Sequence, residues 1–239
     1  MNGPISSARG ALALLVVLAG PAALQPAGRH APPPLPRSDE SRAAEILQRH
    51  FAVREARQGG AQSVVSFEIQ ASLPRLKKHG MMRGLERIGE GGRVVFSQLH
   101  FVGDELIKTA VIGRFLTAQK SGPEEGDLAL AARNYRFRYR GNCDYNGRTA
   151  LVFLAEPKKK RIGLFKGEVW IDRETAQPLR EWGDFVRSPS LFLSRIRFVR
   201  DYEMDGALSH PRRIILTMRA ALVGPAELTM WLDEPQADL

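Results

Sequence analysis

Oxygen side chains at the spacing of a calcium loop occur twice, in Asp201-x-Glu203-x-Asp205-Gly206 and in Asn142-x-Asp144-x-Asn146-Gly147. Such a loop closes with a bidentate carboxylate at its twelfth position. Here that position is Arg212 in one case and Phe153 in the other, so both stretches read as hairpin turns. The histidines are His30, His50, His79, His100 and His210; no two are three or four apart, and none sits in a carboxylate pattern suited to metal or acid–base work. His30 lies in a linker, and each of the others is expected at the surface or in a turn. Cys143, the single cysteine, allows no intramolecular disulfide and no multi-cysteine metal site. There is no Gly-x-Ser-x-Gly elbow, P-loop or Gly-x-Gly-x-x-Gly. The expectation is a protein that is not an enzyme, with no metal and no organic cofactor. A hydrolase stays open only through Asp, Glu or His residues that converge in space.

What remains is the chemistry of recognition. Arg136, Arg138 and Arg140 alternate with Tyr135, Phe137 and Tyr139, which sets guanidinium groups on one face of a strand and aromatic rings on the other. Together with Arg195, Arg197 and Arg200 they suit lipid phosphates or an acidic partner. The plainer role is to keep a sheet's outer face wet and its edge unpaired. Lys158-Lys159-Lys160-Arg161 is either a phosphate patch or a solvated hairpin loop. Trp170, Trp182 and Trp231 share the parity of polar neighbours: Glu168 and Asp172, Arg180 and Asp184, Thr229 and Asp233. A tryptophan so placed is either half-covered by a helix or lines a cavity between sheet and helices. These three are the candidate ligand-binding residues.

The elements that must position these side chains are mainly strands. From Asn134 to Asp184 the side chains alternate with a period of two through strand, turn and strand again. Asn146-Gly147 is a strong type I′ hairpin signal, since that turn needs positive φ at both central residues. The return strand is Thr149 to Ala155, followed by Leu164 to Asp172, a turn at Asp172-Arg173-Glu174-Thr175, and Pro178 to Val186. Ser188-Pro189-Ser190 is a break, and strands are expected at Ser194 to Tyr202, Pro211 to Leu222 and Ala226 to Asp233. Upstream, Ser38 caps a helix whose apolar face holds Ala43, Ile46, Leu47 and Phe51, and which ends by Gly59-Gly60. Val65 to Leu73 is a strand with one wet face. Lys77-Lys78-His79-Gly80 reads as a loop, Met81 to Ile88 as a strand, Gly89 to Gly92 as a turn and Arg93 to Val102 as a strand. Asp104 to Gln119 fits a helical stripe, and Glu124 to Ala132 a further helical turn or loop. The fold class is therefore α+β: a large antiparallel sheet, too broad to stay flat, with helices packed on its concave face.

Composition is that of an ordinary globular protein: 239 residues, 44% hydrophobic and 26% charged, with a net charge of +9 that favours anionic surfaces. The amino terminus points to export. Arg9 precedes the apolar run Ala11 to Ala19, then Gly20-Pro21 and small Ala22-Ala23, the order of parts in a signal peptide. The run is short of the roughly 20 residues a membrane span needs, and a retained anchor is the alternative. Residues 1–25 are thus assigned to a signal peptide, 26–37 to a proline-rich linker and 38–239 to one domain. The expected compartment is the periplasm.

Gly167-Glu168-Val169-Trp170-Ile171-Asp172-Arg173-Glu174-Thr175-Ala176-Gln177-Pro178-Leu179-Arg180, following Ala155-Glu156-Pro157-Lys158, resembles the LolA/LolB-like lipoprotein-carrier superfamily, which includes RseB-type sensor domains. The resemblance implies a half-barrel whose concave side, lidded by helices, holds a lipid, a lipoprotein acyl chain or a similar amphiphile. It also implies a role in outer-membrane lipoprotein sorting. Implied partners are lipid or lipoprotein acyl chains, with peripheral contact to an anionic membrane or an acidic envelope protein, no nucleic acid and a monomeric state. The alternative is an envelope sensor or structural protein that binds another protein through the same sheet.

Overall fold

The computed structural model describes residues 37–57, 63–89, 94–120, 130–188, 193–233 and 236–237. The signal peptide and nearly all of the linker lie outside the described residues, as do Gly59-Gly60, Gly91-Gly92, most of 124–132 and Pro189-Ser190.

Alternating side chains produce a ladder of long strands. These are β1 (Ser63–Leu73), β2 (Lys78–Ile88), β3 (Val94–Gly103), β4 (Tyr135–Tyr145), β5 (Arg148–Pro157), β6 (Phe165–Asp172), β7 (Pro178–Phe185), β8 (Leu193–Asp205), β9 (Leu208–Ala220) and β10 (Gly224–Leu232), with a short β11 (Gln236–Ala237). They form one antiparallel sheet in the order β3-β2-β1-β10-β9-β8-β7-β6-β5-β4, with β11 beside β1. The sheet is open, because β3 and β4 end the order without pairing each other. It is a curved half-barrel with helices on one face.

Lys78, His79 and Gly80 belong to β2 rather than to a loop. The chain reverses earlier, in a 3-10 turn at Pro74–Leu76 closed by Lys77 at φ 52°. This tight turn leaves the following residues free to pair with β1, from Leu73 opposite Lys78 onward.

Two helical pieces cover the inner face. Helix α1 (Arg37–Arg57) starts with Asp39 and Glu40 in its first turn, where acidic groups offset the exposed N–H dipoles. It buries Ala43, Ile46, Leu47 and His50, and its Phe51 ring packs 5.3 Å from Phe137 of β4. The second piece is capped by Asp104, whose Oδ1 accepts from Leu106 N at 2.9 Å. It runs through α2 (Glu105–Ile107), a π-helical turn (Lys108–Ile112) and α3 (Gly113–Lys120). Gly113 belongs at that π turn: its N–H reaches Lys108 O, and a Cβ there would lie 2.9 Å from the same oxygen. Ile107, Val111, Ile112 and Leu116 are buried, and this piece packs on β1, β2, β3 and β10.

Candidate functional site

The inner face is apolar along almost every strand. Val65, Phe67, Ile69 and Ala71 of β1, Leu216 and Met218 of β9, and Leu228 and Met230 of β10 are buried with Ile107, Val111 and Ile112 above them in one core. Toward β4, Tyr135, Phe165 and Phe198 continue it, with ring centroids 5.7 Å and 4.8 Å apart in succession. Tyr135 Oη accepts a hydrogen bond from Phe165 N at 3.2 Å, and burial pushes its phenol up to about 12.

Set into this apolar floor is one polar group of side chains. Glu181 of β7 is 1% exposed and accepts from Arg54 of α1 at 3.2 Å and from Arg200 of β8 at 3.0 Å. Burial raises its carboxyl, but the Arg200 and Arg54 charges outweigh that and hold it below the usual range. Tyr202 faces the same carboxylate, and burial pushes its phenol up. Glu86 of β2 is 8% exposed, set between Val65 of β1 and Phe96 of β3, both buried. Burial pushes its carboxyl up to about 7, and Arg200 is the charge that pulls against it. Four steps across the sheet order separate β2 from β8, about 19 Å if the sheet were flat. The curl is what lets Arg200 act on Glu86.

His50 was expected at the surface or in a turn; it is buried. Its Nδ1–H donates to Ala176 O at 2.9 Å, while Arg49 Nη2 donates to Glu174 O at 2.7 Å, so α1 docks on the turn after β6. That turn is the centre of the Gly167 to Arg180 stretch. Asp172 Oδ1 accepts from Glu174 N (3.1 Å), Thr175 N (2.7 Å) and Thr175 Oγ1 (2.8 Å), and Oδ2 accepts from Arg148 at 3.3 Å. Gly167, which opens this stretch, lies opposite Gly183, and a Cβ added at Gly167 would fall 1.9 Å from Trp182 O. The motif residues build architecture: a capped turn and a close strand pair.

The tryptophans lie on the sheet face turned away from the helices, not between sheet and helices. In β6, Phe165, Val169 and Ile171 are buried while Lys166, Glu168 and Trp170 alternate outward. Trp170 and Trp182 both donate Nε1–H to Glu168 Oε2, at 3.1 and 3.0 Å. Arg180 stacks over Trp170 (5.7 Å) and Tyr145 (5.8 Å) and pairs with Asp201 at 3.2 Å. Trp231, 36% exposed, is opposite Glu68 of β1 and Arg213 of β9. Their parity with polar neighbours places them there, and one carboxylate, Glu168, takes the indole N–H of both Trp170 and Trp182.

The arginines divide. Arg136, Arg138 and Arg140 are exposed on the outer side of β4, with no ion pair among the described residues. Arg195 is exposed, and Arg197 is exposed in a two-point pair with Asp184 (3.0 and 3.2 Å). Arg200 has the parity of buried Ile196 and Phe198 and turns inward to Glu181, so it leaves the outer row.

On the outer face of β1, β2, β3 and β10 are two open depressions of about 420 and 450 Å³; Met81 and Val102 line both. Among the described residues no group of His, Cys, Asp and Glu is arranged to hold a metal ion, and no helix is long and apolar enough to cross a membrane.

No family model and no curated protein matches the chain. Solved structures similar to it include a domain from Vibrio parahaemolyticus named for outer membrane lipoprotein sorting (17% identity, 82% of this chain and 93% of that one, TM-score 0.45). Others are a LolA superfamily protein from Nitrosomonas europaea (15%, 82% and 94%, TM-score 0.39) and the MucA/MucB complex of Pseudomonas aeruginosa (13%, 82% and 94%, TM-score 0.25).

Proposed function

We propose that this chain is an exported binding protein, not an enzyme, that holds an acyl chain or similar amphiphile between the inner face of its half-barrel and the helical cover 105–120. The observation that carries the reading is the interior itself. A continuous apolar sheet face is closed over β1–β3 and β10 by a short helical piece whose Ile107, Val111, Ile112 and Leu116 fill the space. That cover is interrupted by a π-helical turn, a feature frequent at functional sites. An acyl chain that replaced those side chains would gain about 0.8 kcal/mol per buried methylene. The finer role is in periplasmic lipoprotein sorting, which rests on the motif resemblance. Native mass spectrometry of the mature protein incubated with bacterial lipid extract tests it: bound acyl-lipid masses are expected, and a protein that emerges bare ends the reading.

Arg136, Arg138 and Arg140, beside the exposed Lys158, Lys159 and Lys160, form the surface proposed to touch anionic headgroups during exchange. Each contact contributes about 1 kcal/mol near a membrane surface and fades with salt. Changing all three arginines to Glu should weaken binding to anionic vesicles at low salt. Equal vesicle binding by the wild type would mean they only solubilise the sheet.

The second reading, protein binding through the sheet, is favoured by β3. This edge strand has no Lys, Arg, Asp or Glu from Val94 to Gly103, and it exposes Val95, Leu99 and Val102, the last at 67%. A photo-crosslinking residue at position 102 that captures an envelope protein while no lipid is bound would replace the first reading with this one.

A further inference from the structure

One rim of the half-barrel differs from the other in what it exposes. At this rim the chain turns between β1 and β2, β5 and β6, β7 and β8, and β9 and β10. The β1–β2 turn is Pro74-Arg75-Leu76-Lys77, and the β9–β10 turn is Ala221-Leu222-Val223. These two turns are neighbours, since β1 pairs with β10 and Ser72 stands opposite Glu227. A Cβ at Gly224 would lie 3.5 Å from Arg75 Cδ.

The β9–β10 turn has no polar side chain, whereas surface turns draw mainly on Gly, Pro, Asn, Asp and Ser. Val223 packs against the core, but Leu222 is fully exposed. It also sits at φ 71°, where glycine or asparagine fits and leucine is strained. Leu76 is 44% exposed in the adjacent turn. In water Leu222 gains no burial and carries a conformational cost; an apolar phase around it would supply the burial.

Charge indicates which phase. In the four turns of this rim every charged side chain among the described residues is basic and exposed: Arg75 and Lys77, Lys158 through Arg161, and Arg187. Arg195 and Arg219, at the adjoining ends of β8 and β9, are exposed as well. The carboxylates nearby are held by cations: Asp104 by Lys78 at 2.6 Å, Glu156 by Lys166 at 2.7 Å and Asp184 by Arg197 at 3.0 Å. Glu227 lies farther along β10, on the outer face. At the opposite rim the exposed leucine, Leu208, stands across from Asp205, with Glu203 and Asp233 exposed on the same rim. The centre of a protein interface favours aromatic residues and is poor in lysine. Leucines at turn tips, ringed by Lys and Arg whose stems can stretch back toward headgroups, suit the boundary of an anionic bilayer.

We propose that this rim is a membrane-docking edge: Leu222 and Leu76 enter the acyl boundary of an anionic bilayer, while Arg75, Lys77 and the Lys158 to Arg161 loop contact its headgroups. The inference rests on the proposed contact with anionic headgroups, whose Arg136 and Lys158 adjoin this rim, and is independent of what fills the interior. It fixes which end of the half-barrel meets the membrane.

The test is flotation of the mature protein with vesicles of phosphatidylcholine, alone or mixed with phosphatidylglycerol. Wild type should bind the mixed vesicles more tightly than the neutral ones. Leu222→Asn should weaken that binding about tenfold, the order expected when one leucine is withdrawn from an apolar phase. Asparagine accepts the φ of this position, so the variant should keep or raise its Tm, which separates lost docking from lost folding. Leu76→Ser should weaken binding less, because Leu76 is already partly covered. Leu208→Asn, at the opposite rim, should bind as wild type does. If Leu222→Asn binds mixed vesicles like wild type while the Glu variants of Arg136, Arg138 and Arg140 do not, the headgroup contact stands and the docking rim is refuted. If wild type binds neither vesicle, both fall, and native mass spectrometry alone decides the acyl-binding reading. A photo-crosslinking residue at position 222 that captures an envelope protein with no vesicle bound would give the rim to a protein partner and overturn the proposal.

Discussion

Arg54 of α1 donates to Glu181 of β7 across 3.2 Å, joining residues 127 positions apart and tying the first helix to the floor of the sheet. Glu181 also accepts from Arg200 and is 1% exposed, so one buried carboxylate offsets part of the charge of both arginines. Glu181→Leu would take the shared carboxylate from two half-buried guanidinium groups. The expected loss is about 3–5 kcal/mol, the range for breaking a buried pair by removing one partner. Arg54→Met keeps the Arg200 pair and should cost less while loosening α1. Urea unfolding measures the first effect, and amide hydrogen exchange within Arg37–Arg57 the second.

Glu86 and Glu181 give stability opposite dependences on pH. The Glu181 carboxyl is held low when folded, so its contribution is present above about pH 4.5 and is lost as pH falls below that. The Glu86 carboxyl is raised to about 7, so stability linked to it is full below 4.5 and is lost as pH rises from 4.5 through 7. Glu86→Gln removes the second dependence. The stability of the variant relative to wild type should therefore increase by about 3 kcal/mol between pH 4.5 and 8. Denaturant curves at several pH values read this directly, and a difference independent of pH would refute it.

The motif turn depends on one carboxylate. Asp172 caps Glu174 N, Thr175 N and Thr175 Oγ1, and its turn receives Arg49 and His50 from α1. Asp172→Ala should destabilise the protein by about 2–3 kcal/mol through unsatisfied N–H groups. It should also release α1, visible as faster exchange in the helix.

The hairpin between β4 and β5 turns on Asn146 (φ 53°) and Gly147 (φ 75°), both in the left-handed region. No atom crowds a Cβ at Gly147, so Gly147→Val is penalised by backbone conformation alone. A loss of about 1–2 kcal/mol is expected, seen as a lower Tm with the fold kept.

Indole fluorescence should report the outer face. Trp170 and Trp182 share Glu168 Oε2, so Glu168→Ala should shift the emission and raise acrylamide quenching. Filling the interior with an acyl chain should leave emission nearly unchanged. A large emission change on ligand binding to wild type would show that the ligand sits at the tryptophans instead.

Much of this architecture was legible because it is encoded over a few residues. Alternation along Tyr135 to Arg140 marked β4 and its two faces, Asn146-Gly147 marked the hairpin, and Asp104 marked a helix start. His50 could also have been found: it falls four after Ile46 and seven after Ala43, on the buried stripe of α1. The same holds for Arg200, which keeps the parity of Ile196 and Phe198.

The sequence by itself determined which side chains share a face, because the two-residue period of a strand and the stripe of a helix are local geometry. It could not determine which face lies under the helices, since parity has no sign until a second layer covers one side. Only the tertiary structure sent Trp170, Trp182 and Trp231 outward, where Glu168 takes two of their N–H groups. Only the curl of the sheet set Glu86 within the field of Arg200 from four strands away, because that proximity is the accumulated twist of every intervening strand and belongs to no single stretch of chain.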